Sequence, residues 1–305
     1  MRDTRFYKQA ELLLQILPFL KSKNIFALKG GTALNFFIRD LPRLSVDIDL
    51  TYLPIKDRES SISDISTHLK ESADRITSKL SGIQVNYKYA HNSENVIGFV
   101  LLRNNITVKV EPNLVIRGAV YEPKELTLCK KAQNMFGLSI SFLALAKEDL
   151  YGGKICAALD RQHPRDLYDI KLLLENDGLS EHIRKAFIVY LISHSRPMVE
   201  LLNPNLIDIK KTFENEFSGM TIHPVQLDEL LGIREKLIRL IKNDLSEKER
   251  RFILSVKKGE PEWELFELDH IDSLPAVNWK LQNIRQMNPK KHKQAVNKLK
   301  DYLEL

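Results

Sequence analysis

The sequence has few cysteines, no long hydrophobic run and no low-complexity segment. Its only cysteines, Cys129 and Cys156, are too few for a cysteine-based metal cage and need not form a disulfide. Residues 1–23 are charged from the second position, and their apolar residues are spaced as in a helix and interrupted by polar residues and a proline. This pattern predicts neither a signal peptide nor a membrane span. We therefore expect a reduced, cytoplasmic protein with no membrane partner.

The composition is that of a soluble globular protein. Hydrophobic residues make up 43% and charged residues 28% of the 305 residues. That length favours two domains over one. The net charge of +6 is compatible with a nucleic acid or nucleotide as partner, although many basic proteins bind neither.

Hydrophobic periodicity divides the chain into a mixed N-terminal part and a helical C-terminal part. The mixed part is predicted to contain helices at 4–22, 32–39 and 56–80, and strands at 25–29, 47–53, 83–90, 96–103 and 106–111. After about residue 140 only helices are predicted, at 143–159, 166–175, 181–193, 225–257 and 290–304. We therefore predict an α+β lobe over residues 1–140 and a mainly helical lobe over residues 141–305.

The stretch 29-KGGTALNFFIRDLPRLSVDIDL-50 carries the strongest chemical signal. Gly30 and Gly31 follow a short apolar strand, and Thr32 stands near the start of a helix. Glycines let the backbone approach a ligand closely, and the first N–H groups of a helix have no internal partners. A phosphate group fits such a turn. These three residues are therefore predicted to bind a nucleotide.

Asp47 and Asp49 lie two residues apart on the next predicted strand, so their side chains leave the same face. The apolar Val46, Ile48 and Leu50 predict that the opposite face is packed. Paired carboxylates suit a hard divalent cation such as Mg²⁺. A glycine turn alone is usually only a turn, and an acid pair alone is common on solvated strands. Together they predict metal-assisted phosphoryl or nucleotidyl transfer.

A third acid and a second polar cluster complete the candidate site. Glu111 ends a predicted strand and is the candidate third metal ligand, although a surface glutamate at a strand end explains it equally well. Lys154 and Arg161 are seven residues apart on one helix face, and Asp166 and Asp169 open the next helix. A solvated charged face is the alternative interpretation. Apolar residues on the other sides of both helices favour a site.

These motifs resemble those of the DNA polymerase β-type nucleotidyltransferases and, more narrowly, of the AbiEii/AbiGii-type nucleotidyltransferase toxins of bacterial toxin–antitoxin systems. The first motif reads Gly30-Gly31-Thr32 and then Arg-x-Ser-x-Asp-x-Asp over residues 43–49, and the second reads Lys154 and Arg165-Asp166-Leu-Tyr-Asp169. The gap between Thr32 and Asp47 is a few residues longer than in the family's shortest version.

The resemblance implies a fold, a reaction and residue roles. The first lobe would have a polymerase β-like mixed sheet, and the helical lobe would complete the active-site cleft. Asp47 and Asp49 would hold Mg²⁺, and Lys154 would grip the triphosphate of an NTP. The resemblance does not distinguish Asp166 from Asp169. Because Asp166 lies in the first helical turn, where capping explains it, Asp169 is the preferred catalytic acid.

The implied reaction is transfer of NMP to an RNA acceptor, with tRNA as the expected one, by a toxin with a separately encoded antitoxin. A basic C-terminal segment, with Lys280, Arg285 and Lys290–Lys293 among its cations, fits an RNA backbone or is only a solvated helix face. A small-molecule nucleotidyltransferase of the antibiotic-modifying type and a catalytically silent nucleotide-binding protein are the alternatives. The preferred NTP, the acceptor and the oligomeric state are not specified by the sequence.

Overall fold

A computed structural model describes residues 4–305, which form two compact units. The first unit contains the chain up to Leu150 together with Phe217–Pro224, and the second contains Tyr151–Glu216 and Val225–Leu305. The predicted division lay at residue 140, and no pattern in the sequence indicated that Phe217–Pro224 returns to the first unit. This segment is held there by backbone hydrogen bonds to the loop that precedes the Asp47 strand, at 2.9 and 3.0 Å.

The first unit is built on a mixed seven-stranded sheet with the order β3-β4-β5-β2-β1-β7-β6. Its strands are β1 (Phe26–Lys29), β2 (Asp47–Tyr52), β3 (Gln84–Tyr89), β4 (Val96–Arg103), β5 (Ile106–Asn113), β6 (Lys124–Thr127) and β7 (Ser141–Ala144). The pairs β2–β5 and β1–β7 are parallel, and the others are antiparallel. The fold is α+β, as predicted.

Two four-residue strands were not predicted. The sequence pattern indicated helices only after residue 140 and a helix from residue 143, yet Ser141–Ala144 is β7 and the helix begins at Lys147. The other missed strand, β6, pairs with β7. Strands this short carry too little alternation to be recognised, and β7 is defined by its pairing with β1 and β6.

The first unit also contains helices. They are α1 (Arg5–Ile16), α2 (Gly30–Ala33), which continues in a wider π-helical winding over Leu34–Ile38, α3 (Arg58–Lys79) and α4 (Lys130–Phe136). The Tyr52 hydroxyl donates a hydrogen bond of 2.7 Å to Asp64 on α3. Since Tyr52 shares a strand face with Ile48 and Leu50, α3 lies on the side of β2 opposite Asp47 and Asp49.

The second unit is helical, as predicted. It contains most of α5 (Lys147–Asp160) and then α6 (Pro164–Asn176), α7 (Glu181–Ser193), α8 (Met198–Leu202), α9 (Lys210–Glu216), α10 (Leu227–Asp244), α11 (Glu247–Lys258), α12 (Pro275–Arg285) and α13 (Pro289–Leu303). The region predicted as helical at 225–257 is divided because Ser246 starts a new helix through a reciprocal capping box with Glu249. Among residues 4–305, no helix has the length and apolar character needed to cross a membrane.

Gly152 lets α5 pack closely against α7. A Cβ atom at this position would lie 2.8 Å from backbone and side-chain atoms of Ala186 and Phe187, which cannot rotate away. We expect Gly152→Ala to lower the free energy of unfolding by about 1–3 kcal/mol through overpacking. Gly232→Ala in α10 is the matched control, because no atom lies within 4 Å of its added Cβ. It should raise stability by about 0.5–1 kcal/mol. Urea unfolding measures both, and equal effects would contradict this packing argument.

Candidate active site

Asp47 and Asp49 project from the open face of β2. Both are partly exposed, whereas Ile48 and Leu50 between and after them are fully buried. The alternation predicted from the sequence is therefore confirmed. It leaves two carboxylates side by side on the face that α3 does not cover.

The glycine turn lies directly against the second of these acids. Gly30 follows β1 with φ = +70°, a left-handed conformation that a residue with a side chain adopts only with strain. A Cβ at Gly30 would stand 3.2 Å from Cγ and 3.3 Å from Cβ of Asp49, and the carboxylate oxygen Oδ2 would be closer still. The structure thus brings together the turn and the acid that the sequence placed 19 positions apart.

Gly30→Ala should therefore displace the Asp49 carboxylate. We expect loss of nucleotidyl transfer by about 10²-fold, the effect of misplacing a reacting group by roughly 1 Å. Gly82→Ala is the matched control, since Gly82 has φ = +72° but no atom within 4 Å of an added Cβ. Both variants should lose about 1–2 kcal/mol of stability from the left-handed backbone. Equal activities of the two variants would show that the approach to Asp49 is unimportant.

Gly31 and Thr32 contact two buried polar residues, Arg43 and Ser45. Both belong to the first motif, and neither had a predicted role. A Cβ at Gly31 would lie 2.7 Å from Arg43 Nη2 and 3.1 Å from Ser45 Oγ. The Thr32 hydroxyl donates to the Asp47 carbonyl oxygen at 2.6 Å and lies 2.9 Å from Ser45 Oγ. Thr32 is 1% exposed, so its side chain positions the Asp47 strand. The motif itself was the signal that could have identified Arg43 and Ser45.

Glu111 lies beside the acid pair in the backbone but leans away from it. On the parallel strand β5, Glu111 is the register partner of Asp49. Its Cγ nevertheless lies over Gly98 of β4, 3.6 Å from the position of an added Cβ, and its carboxylate forms an ion pair of 3.0 Å with Lys88 on β3. In this arrangement Glu111 does not share the space of Asp47 and Asp49, and its role as third metal ligand stays a prediction.

The acid pair suits Mg²⁺ as a partial set of ligands. Within the part of the chain that the structure describes, no three His, Cys, Asp or Glu side chains come together to hold a metal ion. Mg²⁺ is commonly bound through one or two carboxylates, with substrate phosphates and water as its other ligands. Asp47 and Asp49 fit this mode, and Asp49 lies directly against the Gly30 turn.

The second predicted cluster is assembled within the second unit and is buried. Lys154 Nζ lies 2.8 Å from Asp166 Oδ1 and 3.1 Å from Asp169 Oδ2, and these three side chains are at most 6% exposed. Arg161 binds Asp166 through Nε at 2.6 Å and Nη2 at 3.1 Å. The structure therefore brings together all four predicted residues, as a closed ion-pair network with Arg161 on its exposed side.

The network gives the two acids different surroundings. Burial by itself would raise the pKa of Asp166, but the charges and hydrogen bonds of Lys154 and Arg161 outweigh it and hold that pKa well below its usual range. Asp166 thus stays ionised as the acceptor of both cations. Lys154 is occupied by two carboxylates, whereas the Arg161 side chain is 58% exposed, so Arg161 is the more accessible of the two cations.

Other polar residues of the second unit have structural roles. Cys156 is buried, and burial raises the pKa of its thiol, which makes it unreactive. Lys280, predicted as part of a basic surface, is buried and donates to the carbonyl oxygens of His194 and Arg196 at 2.6 and 2.7 Å. It closes the C-terminal end of α7 and does not contribute to an RNA-binding surface.

Comparisons with known proteins agree with this fold and with these motifs. A profile of the family described as the nucleotidyl transferase AbiEii toxin of type IV toxin–antitoxin systems matches residues 11–283. No curated protein matches the chain. Among solved structures, MenT4, a nucleotidyltransferase toxin of Mycobacterium tuberculosis H37Rv, is similar with a TM-score of 0.60 and 15% identity, over 97% of this chain and 92% of that chain. JHP933 from Helicobacter pylori has 16% identity and a TM-score of 0.46, over 82% of this chain and 97% of that chain.

The profile match has more weight than the structural similarities, which at these identities show the fold alone. It spans both motif regions and most of the chain. The similarity to MenT4 covers 97% of this chain and concerns the overall fold. The chain therefore belongs to the AbiEii family of nucleotidyltransferase toxins, the toxins of type IV toxin–antitoxin systems.

Proposed function

We propose that this nucleotidyltransferase transfers NMP from an NTP to the end of an RNA, with tRNA as the acceptor, in a Mg²⁺-dependent reaction. The observation that carries the proposal is the contact between the Gly30 turn and Asp49, with Asp47 on the same open face. Two carboxylates on one open face beside a glycine turn suit the cation that accompanies a triphosphate. The basic net charge of +6 supports a polyanionic acceptor.

In the proposed reaction, an acceptor hydroxyl attacks the α-phosphorus in line with the bond to the β-phosphate. A new P–O bond forms, the bond to the bridging oxygen breaks, and pyrophosphate leaves. Asp47 and Asp49 would hold Mg²⁺, which would supply positive charge for the attacking and leaving oxygens. Gly30 lets the turn approach the Asp49 carboxylate closely, and Thr32 fixes the Asp47 strand through its hydrogen bond to the Asp47 carbonyl oxygen.

The proton of the attacking hydroxyl needs a base. Glu111 is the candidate because its backbone is in register with Asp49. To act, it must leave its ion pair with Lys88, whose two side chains are 44% and 62% exposed. Exposed ion pairs of this kind contribute only about 0–1 kcal/mol, so opening this one costs little.

We also assign the ion-pair network of the second unit to the reaction, as the source of a cation for the nucleotide. Arg161 is the residue that offers it, and Asp166 orients its guanidinium through two hydrogen bonds. Lys154 and Asp169 complete the network and keep Asp166 in place. A separately encoded antitoxin is the expected protein partner, in keeping with the family.

Incubation of the purified protein with each α-labelled NTP, Mg²⁺ and total bacterial RNA tests the proposal. We expect label in the tRNA fraction and its loss when EDTA is added. Expression of the chain alone in bacteria should slow growth. Transfer of label to a small molecule and not to RNA would favour the antibiotic-type alternative, and absence of transfer from all NTPs would contradict the proposed reaction.

A further inference from the structure

The face of the sheet that bears Asp47 and Asp49 continues outward over β5, β4 and β3. Asp47 is the register partner of Lys109 on β5, Lys109 that of Val100 on β4, and Val100 that of Asn86 on edge strand β3. Directly paired residues point to the same side of a sheet. A continuous row of side chains therefore leads from the first candidate metal ligand to the edge of the sheet.

A second row runs parallel to the first. It passes from Asp49 through Glu111 towards Lys88, which is paired with Gly98. Gly98 has no side chain, and the Glu111 side chain crosses over it to reach Lys88 at 3.0 Å. The negative charge of Glu111 is thereby neutralised by Lys88.

This face is open, whereas the opposite one is packed. On the opposite face, Ile48, Leu50, Phe99 and Val110 are at most 1% exposed, and α3 packs on that side of the sheet. On the open side, Asn86 and Lys109 are exposed, and Val100 and Leu102 are half-buried. The open face therefore combines polar groups with a shallow apolar strip, which suits a ribose or a base.

Lys109 is an exposed cation on the open face, next to the acid pair. Among residues 4–305 its ammonium group has no hydrogen bond or ion pair, in contrast to Lys88. It stands next to Asp47, where the reacting end of an acceptor must arrive. An uncommitted cation at this point is complementary to a phosphodiester.

We propose that the open face of β3–β5 binds the acceptor RNA strand, with Lys109 contacting a backbone phosphate close to the reacting end. This inference rests on the proposed function and gives the acceptor a position and a direction, from the acid pair towards β3. Val100 and Leu102 support the sugar and base next to that phosphate, and Asn86 offers hydrogen bonds at the edge.

Binding of a short fluorescein-labelled single-stranded RNA, without NTP or Mg²⁺, tests the proposal by fluorescence anisotropy between about 50 and 200 mM KCl. Lys109→Met should weaken binding about tenfold, since a hydrogen bond from a charged group is lost. It should also lower the slope of log K against log [salt] by about one. Lys79→Met is the matched control, because Lys79 is an exposed lysine at the end of α3, on the covered side of the sheet.

Transfer kinetics separate this proposal from the proposed function. If wild type labels tRNA, Lys109→Met should raise KM for tRNA and leave KM for the NTP unchanged. If Lys109→Met has the same RNA affinity and the same slope of log K against log [salt] as wild type, the proposed position of the acceptor RNA is wrong. The proposed transfer reaction is not affected by that result. If wild type transfers no label to RNA and binds the oligonucleotide no better than Lys109→Met does, both the proposed RNA acceptor and the proposed RNA-binding surface are refuted.

Discussion

Asp47→Ala is expected to abolish nucleotidyl transfer and to leave the fold intact. The side chain is partly exposed on the open face of β2, so its removal creates no cavity and costs little stability. Its carboxylate is one of the two that would hold Mg²⁺, and a bound metal ion supplies several kcal/mol of transition-state stabilisation. We expect transfer to fall by about 10³-fold or more.

The measurement is label transfer from each α-labelled NTP to total RNA, with thermal melting in parallel. Asp49→Ala should behave like Asp47→Ala, because the two acids share one strand face. Asp74→Ala is the control, since Asp74 is exposed on α3, which packs on the other side of the sheet. Full activity of Asp47→Ala would refute the proposed metal-assisted mechanism.

Lys154→Met is expected to destabilise the protein strongly. The substitution removes the ammonium group between Asp166 and Asp169, both at most 2% exposed, and leaves Asp169 without that counter-charge. Breaking a buried ion pair by removing one partner typically costs about 3–5 kcal/mol. This loss of folding stability is enough to remove toxicity in a cell, whether or not the lysine meets the nucleotide.

Urea unfolding and growth assays must therefore be combined. Lys185→Met is the control: Lys185 pairs with Glu181, whose side chain is 59% exposed, and the expected loss is below about 1 kcal/mol. The double variant Lys154→Met/Asp169→Leu should recover part of the stability, because a buried pair can be replaced by apolar residues. If it recovers stability and still fails to slow growth, Lys154 or Asp169 is needed for activity itself. Wild-type stability of Lys154→Met would contradict the buried network.

The network also changes the interpretation of Arg161. Its guanidinium is held by Asp166 at 2.6 and 3.1 Å while most of the side chain stays exposed. If Arg161 contacts a nucleotide, its substitution is expected to lower nucleotidyl transfer without lowering the free energy of unfolding. Because the Lys154 side chain is only 6% exposed, its substitution is expected to lower activity and stability together.

Several features of the protein were determined by the sequence alone, because they depend on neighbours along the chain. Strand alternation placed Asp47 and Asp49 on one face and their apolar neighbours on the other, as the structure confirms. Asparagine tolerates a left-handed backbone, and Asn104 and Asn105 both have positive φ in the tight turn between β4 and β5. Spacing on α5 and α6 likewise predicted that Lys154, Arg161, Asp166 and Asp169 share one cluster.

Other features were decided only by the tertiary structure, because they depend on which distant segments pair. The strands β6 and β7 exist through contacts with each other and with β1, and Phe217–Pro224 joins the first unit through hydrogen bonds to residues far earlier in the chain. Lys280 was predicted as a surface cation, but it is buried and bonds to carbonyl oxygens of the turn that follows α7. Glu111 has the backbone position of a third acid, but Gly98 opens a path for its side chain to Lys88. Local periodicity fixes the face from which a side chain leaves its strand or helix, and long-range packing decides which partner that side chain meets.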